Sequence, residues 1–228
     1  MKLSISMTQN EVRFGWLFLV LQLLVLPVLL VLVNTLLPVP LSAVSLNFLM
    51  FLLDFGLALL IFHRFLLSSV RLSAATPFRC LRFAAIGLLL YYLATFFVSL
   101  FIQTVCPAFL NVNDSSIHSM AQENYGLMVA GTVLLVPVTE ETLYRGLVFG
   151  GLQKKNRAVA YILSTVLFGL IHVTGYIGTV SPVILLLCLL QYMPAGLCLA
   201  WAYEKADSIC APILMHMAIN QLSISYMR

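Results

Sequence analysis

Long apolar runs, divided by short polar clusters, set the pattern of this chain. Lys2, Glu11 and Arg13 precede a first run from Phe14 to Leu37. Its 24 residues exceed the ~20 needed to cross a bilayer and the ~7–15 of a signal peptide's apolar core. It reads as a retained membrane helix in which Pro27 is a tolerated kink. Pro38-Val39-Pro40 marks a turn, and a second run spans Val44 to Leu67, with Asp54 inside it and His63 and Arg64 near its end. A basic connection, Arg64, Arg71, Arg79 and Arg82, leads to a third run from Phe83 to Phe109. A polar loop, Asn111-Val112-Asn113-Asp114-Ser115-Ser116, comes next.

The fourth run starts near Tyr125 and ends at Lys154-Lys155-Asn156-Arg157. From Ala158 to Tyr203 there are 46 residues without a formal charge, too many for one crossing. Gly175, Gly178, Ser181 and Pro182 supply the break, giving helices over Ala158–Thr174 and Pro182–Tyr203. Glu204-Lys205-Ala206-Asp207 is expected to form a polar turn before the last span, Ile209 to Met227. The pattern predicts an all-α, polytopic membrane helix bundle of about seven transmembrane helices.

Composition agrees. Of 228 residues, 62% are hydrophobic and 9% charged, and the mean hydropathy is +1.05. A soluble domain carries about 25% charged residues, so too little charge exists here to cover a wet surface. A single integral membrane domain over 1–228 is expected. The net charge of +4 reflects loop residues: with the N-terminus in the cytoplasm, 11 of the 12 Lys and Arg fall inside and Arg228 alone outside, as the positive-inside rule requires. No basic, aromatic-interleaved surface exists, which excludes nucleic acid. Membrane lipid is the expected surrounding, and the basic connection after the second span can meet anionic headgroups. Cys80, Cys106, Cys188, Cys198 and Cys210 show no CxxC spacing and read as small buried residues.

Against this background the stretch Val136-Pro137-Val138-Thr139-Glu140-Glu141-Thr142-Leu143-Tyr144-Arg145-Gly146 stands out. A charged side chain at bilayer depth costs a few kcal/mol or more and is a functional hypothesis by default. Glu140 and Glu141 lie ~100° apart around a helix and face different neighbours. Glu141 and Arg145 stand at i,i+4 with the acid first, the better order for an ion pair, which leaves Glu140 free to activate a water. Two further pairs repeat the spacing. Phe168 and His172 share one helix face, as do His216 and Asn220. Each has a bland alternative: a structural ion pair, a core histidine, or interhelical hydrogen bonding. Depth joins them. At ~1.5 Å per residue, Glu140 lies roughly 20 Å from Lys154, His172 roughly 21 Å from Ala158, and His216 and Asn220 roughly 12 and 18 Å from the Asp207 turn.

Minor features have structural readings. Asp54 is expected in an interhelical hydrogen bond, His63 at the interface, and His118 in solvent. Gly146-x-x-x-Gly150 permits close helix approach. Trp16, Trp201 and Tyr203 are expected as interface anchors.

Glu-Glu-x-x-x-Arg, Phe-x-x-x-His and His-x-x-x-Asn, in this order over roughly Tyr125 to Gln221, resemble the CPBP family. These are the CAAX-processing and bacteriocin-processing intramembrane endopeptidases, also called the Abi or type II CAAX prenyl endopeptidase family. The resemblance implies a motif-bearing core at 125–221 in the C-terminal four helices, and variable N-terminal helices over 1–110. It implies that Glu140 and His172 activate the attacking water, that His216 and Asn220 stabilise the oxyanion, and that Glu141, Arg145 and Phe168 support the site. The substrate would be a membrane-associated peptide or a prenylated or otherwise lipid-modified protein. The family has been described as metal-dependent, and Glu140, His172 and His216 would be the zinc ligands in that case. No His-Glu-x-x-His helix is present, and a mechanism without cofactor is expected. Two other classes stand beside the endopeptidase. One is a non-proteolytic family member acting in bacteriocin self-immunity, as a scaffold for a partner membrane protein, or in lipoprotein acyl transfer. The other is a small proton-coupled transporter, against which the absence of a visible inverted repeat counts. A compact chain without targeting extensions leads us to expect a bacterial plasma membrane.

Overall fold

A computed structural model describes residues 3–226, so Lys2 and Arg228 of the loop-charge pattern lie outside the described residues. Among the described residues there is no strand beyond an isolated bridge between Ile177 and Val180. The helices are α1 Gln9–Thr35, α2 Ala43–Ala75, α3 Pro77–Val105, α4 Val112–Glu123, α5 Tyr125–Leu152, α6 Arg157–Ile171, α7 Pro182–Ala206 and α8 Cys210–Tyr226.

Helix starts follow local chemistry. Thr8 and Glu11 form a reciprocal capping box at the start of α1, satisfying two donors that a helix end leaves open. The other oxygen of Glu11 accepts from the Phe65 N–H at 2.8 Å, beside the kink of α2 at Phe62. One acid thus caps the start of one helix and braces the bend of another. In α1 a π-helical turn, Leu21–Val25, stops immediately before Leu26-Pro27. α5 repeats the arrangement, with a π segment at Val129–Leu135 followed by Val136-Pro137. A second π segment, Glu141–Phe149, follows in α5.

The burial pattern is that of a membrane protein. Leucines and phenylalanines along α1 and α3 point outward, whereas Glu141 and Arg145 are wholly buried. Five helices, α1, α2, α3, α5 and α7, are long and apolar enough to cross a membrane. α6 is apolar but has only 15 residues, ~22 Å at 1.5 Å per residue, and α8 has 17 described residues. The chain is therefore an all-α bundle of an integral membrane protein, with five candidate spans by length and composition among the described residues and α6 and α8 as shorter helices beside them.

Some expectations need correction. The polar loop at Asn111–Ser116 is the start of α4: the Asn111 side chain accepts from the N–H groups of Asn113 and Asp114 and nucleates a helix from what reads as a turn. The basic connection is mostly helical, because α2 runs on to Ala75 and α3 restarts at Pro77, where a proline fits the first turn. α7 continues through Glu204 to Ala206, and Asp207 caps it at φ 58°. Glu204 is buried because Arg157 grips both its oxygens at 2.7 Å and Tyr161 donates to it at 2.7 Å. Tyr203 is no interface anchor. It is buried against Phe149, ring centroids 6.0 Å apart. Trp201 stands edge-on to Phe83 at 5.7 Å, and Trp16 is exposed. Asp54 accepts from Gln22 of α1 at 3.2 Å, the expected interhelical bond. Cys80 and Cys188 are buried.

α5 is the centre of the bundle, with every residue from Thr139 to Phe149 buried. Small residues let its neighbours close in. A Cβ on Gly146 would lie 2.9 Å from the Phe65 ring, and one on Gly196 of α7 would lie 3.0 Å from the Thr165 backbone of α6.

Candidate functional site

Glu140 and Glu141 stand where α5 passes from α-helical to π-helical winding. Three threonines prepare this change. Thr132, Thr139 and Thr142 each bond back to the carbonyl four residues earlier, an interaction that loosens a regular helix. Pro137 contributes more. In the first π segment Val136 N–H reaches the Gly131 carbonyl five residues back. The next donor in that register would serve Thr132, but Pro137 has no N–H. Asn220 of α8 fills the gap, its Nδ2 donating to the Thr132 carbonyl at 2.7 Å. A proline on one helix thus determines where an asparagine on another must dock.

The two glutamates part company as expected from their positions. Glu141 faces Arg145 and His216: Arg145 Nε lies 3.1 Å from Glu141 Oε2, and His216 Nδ1 donates to Glu141 Oε1 at 2.8 Å. Arg145 Nη2 also donates to the Gly196 carbonyl at 3.2 Å, which the tight α6–α7 contact brings within reach. Glu140 forms no ion pair among the described residues, is 7% exposed, and its Oε2 has no hydrogen-bond partner. It lines a cavity of about 340 Å³ together with His172, His216, Asn220 and Phe168. All four residues expected to carry chemistry therefore meet one space, and Phe168 joins them.

Phe168 is the hub of the surrounding side chains. Its ring lies under the Arg145 guanidinium at 4.3 Å and has ring contacts with Tyr144 at 5.8 Å, His172 at 4.9 Å and His216 at 5.7 Å. His172 sits just past the end of α6, whereas the sequence suggested a helix running to Thr174; its Nδ1 lies 2.8 Å from the Phe168 carbonyl. A carbonyl only accepts, so Nδ1 carries the proton and Nε2 of the neutral ring keeps its lone pair. His216 is oriented the same way by Glu141, which leaves its Nε2 as the second nitrogen.

Sequence reasoning missed the opposite wall. Asn113, Asp114, Ser116, Ile117 and Met120 of α4 line the cavity, with Gln191 and Tyr192 of α7. Tyr192 donates to Asp114 Oδ1 at 2.8 Å and accepts from Asn113 Nδ2 at 3.0 Å. Asn111 Nδ2 donates to Gln191 Oε1 at 3.0 Å. Burial holds the Asp114 carboxyl above its ordinary range, opposed by the Tyr192 hydroxyl. A signal existed: Tyr192 lies 15 positions before Asp207, ~22 Å along a helix, level with Glu140 and His172. The cavity thus opens under α4, at the end of α5 opposite Lys154 and Lys155.

Among the described residues, no group of three His, Cys, Asp or Glu side chains is arranged to hold a metal ion, so Glu140, His172 and His216 do not converge as the three protein ligands of a catalytic zinc.

Comparison with known proteins places this arrangement. The UPF0177 protein YxdF of Lactococcus lactis subsp. lactis (strain IL1403) is 30% identical over 87 residues, 38% of this chain and 42% of that protein. YdiL of Bacillus subtilis (strain 168), whose name proposes a membrane peptidase, is 29% identical over 147 residues, 60% of this chain and 55% of that protein. The chain thus spans about half the length of the curated relatives it matches. No solved structure matches it. Residues 122–222, which hold all three motifs, match the family described as Type II CAAX prenyl endopeptidase Rce1-like. Over that segment the chain is similar to the Rce1-like family, consistent with the CPBP resemblance of its motifs.

Proposed function

We propose that this protein is an intramembrane endopeptidase that hydrolyses a membrane-associated peptide or lipid-modified protein with a glutamate-activated water. One observation carries the reading: Glu140, without an ion-pair partner among the described residues, faces the same buried cavity as His172, His216 and Asn220, while Glu141 is engaged by Arg145 and His216. A free carboxylate beside a neutral imidazole lone pair suits general-base chemistry, and further hydrogen-bond donors suit a developing oxyanion.

In this mechanism a water bridges the Glu140 carboxylate and His172 Nε2. Glu140 takes one proton as the water oxygen bonds to the scissile carbonyl carbon. The resulting oxyanion forms beside His216, whose ring Glu141 orients, and accepts from the second amide hydrogen of Asn220. Its first hydrogen is already given to Thr132. As the carbon–nitrogen bond breaks, the proton on Glu140 passes to the leaving amine, giving a carboxylic acid and an amine, and the acid's proton then passes to the amine to leave a carboxylate and an ammonium group. Metal plays no part in this scheme.

The substrate reaches the cavity from the bilayer or from the α4 end. With the N-terminus cytoplasmic, that end faces away from the cytoplasm, which favours an exported peptide or an anchored signalling peptide over a cytoplasmic prenylated C-terminus. A bacterial plasma membrane fits this orientation. Mass spectrometry of membrane-associated peptides, from cells with the parent chain or Glu140→Gln, tests the proposal. Cleaved species present only with the parent support it. Identical peptide sets overturn it.

A further inference from the structure

The imidazole of His172 stacks on the ring of Tyr192, centroids 4.3 Å apart and planes 27° from parallel. This pairing matters because α6 has ended: the chain beyond His172 forms only a short 3-10 turn, Thr174–Tyr176, before Gly178 at φ 84°. The backbone of His172 is therefore continued by a helix on one side only. Its ring is held by the Phe168 carbonyl at 2.8 Å, the Phe168 ring at 4.9 Å, and Tyr192. Tyr192 belongs to α7 and is itself fixed through its hydroxyl, which donates to Asp114 and accepts from Asn113, both on α4. A neighbouring bond, Asn111 to Gln191, docks the start of α4 on the same turn of α7.

We infer that Tyr192 is a positioning residue for His172, and that α4 holds it in place through Asp114 and Asn113. The ring supplies a flat wall that keeps Nε2 of His172 aimed into the cavity, and the hydroxyl supplies the tether that keeps the wall still. α4 is thereby part of the site without touching the reacting atoms. Stacked aromatic pairs contribute beyond their buried area, but here the effect is on geometry, where a misplacement near 1 Å costs up to ~100-fold in rate. The catalytic sense of this role rests on the proposed endopeptidase activity. The geometric sense does not.

Two measurements separate the two. The first is the rate at which diethyl pyrocarbonate modifies His172 in the purified full chain, read by peptide mass spectrometry with exposed His63 as internal reference. Tyr192→Leu raises this rate severalfold. Tyr192→Phe, which keeps the wall and loses the tether, and Asp114→Leu, which cuts the tether from the other side, give intermediate rises. The second is cleavage of the peptide identified by the membrane-peptide comparison. Tyr192→Leu lowers kcat on the order of tenfold with KM nearly unchanged, and Tyr192→Phe recovers part of the loss. If Tyr192→Leu fails to fold, Tyr192→Phe and Asp114→Leu carry both readouts. An unchanged His172 modification rate across the folded variants overturns the inference, as does a Phe variant no better than Leu. If the parent cleaves nothing, the proteolytic reading falls by itself, and His172 reactivity still decides the positioning role.

Discussion

His216 donates its Nδ1 proton to Glu141 at 2.8 Å, and the other oxygen of the same carboxylate lies 3.1 Å from Arg145 Nε. One fully buried acid therefore offsets an arginine and orients a histidine. Removing one member of a buried charged group typically costs ~3–5 kcal/mol, because the partner is left uncompensated. Glu141→Gln is expected to lower stability by about 3 kcal/mol in thermal or denaturant unfolding in detergent. Adding Arg145→Met should recover part of that loss. A Glu141→Gln variant as stable as the parent would contradict the triad.

Asn220 has two duties in this account, one structural and one chemical. It satisfies the Thr132 carbonyl that Pro137 leaves open, and it faces the cavity. Asn220→Ala should cost about 1–3 kcal/mol for the orphaned carbonyl and lower kcat by ~100-fold or more for the lost oxyanion donor. Unfolding and cleavage measured on one preparation separate the two. A loss of stability with full activity would remove Asn220 from the chemistry.

The pH dependence of stability tests the docking of α4. Burial raises the Asp114 carboxyl above its ordinary value, so the folded state favours the protonated form. A raised folded value means that the stability is present at low pH and lost as pH rises through that value. The unfolding temperature of the parent should therefore fall, relative to Asp114→Asn, as pH climbs from the ordinary carboxylate range. A parent-minus-variant difference that is flat or rises with pH would contradict the assignment.

Metal removal gives a further expectation. Since Glu140, His172 and His216 do not gather as a metal-holding group, cleavage should be unchanged after prolonged 1,10-phenanthroline treatment and dialysis. Loss of activity restored by zinc would reverse this expectation.

Much of the site could be read from residue spacing, and the reason is physical. Scarce polar groups in apolar helices have few uses, so the pairings Glu141–Arg145 and Phe168–His172 follow from i,i+4 geometry, and a shared depth brings Glu140, His172 and Asn220 to one level. What spacing does not carry is three-dimensional. That His216 binds Glu141, and that Asn220 binds the Thr132 carbonyl, depends on how α8 crosses α5 and on a helix rewound by Pro137. Tyr192 is hidden by its apolar surroundings. The α4 helix is masked because Asn111, Asn113 and Asp114 suit a turn as well as a cap. Tyr203 misleads because a tyrosine near a helix end suits an interface or a core, and Phe149 decides for the core.

The most direct test of the account is peptide cleavage by the purified protein in lipid vesicles, with Glu140→Gln as its isosteric partner and equal unfolding temperatures as the control for fold. The account predicts fragments ending in a new carboxylate from the parent and a rate lower by at least ~100-fold from Glu140→Gln. A Glu140→Gln variant that cleaves at the parent rate would contradict it.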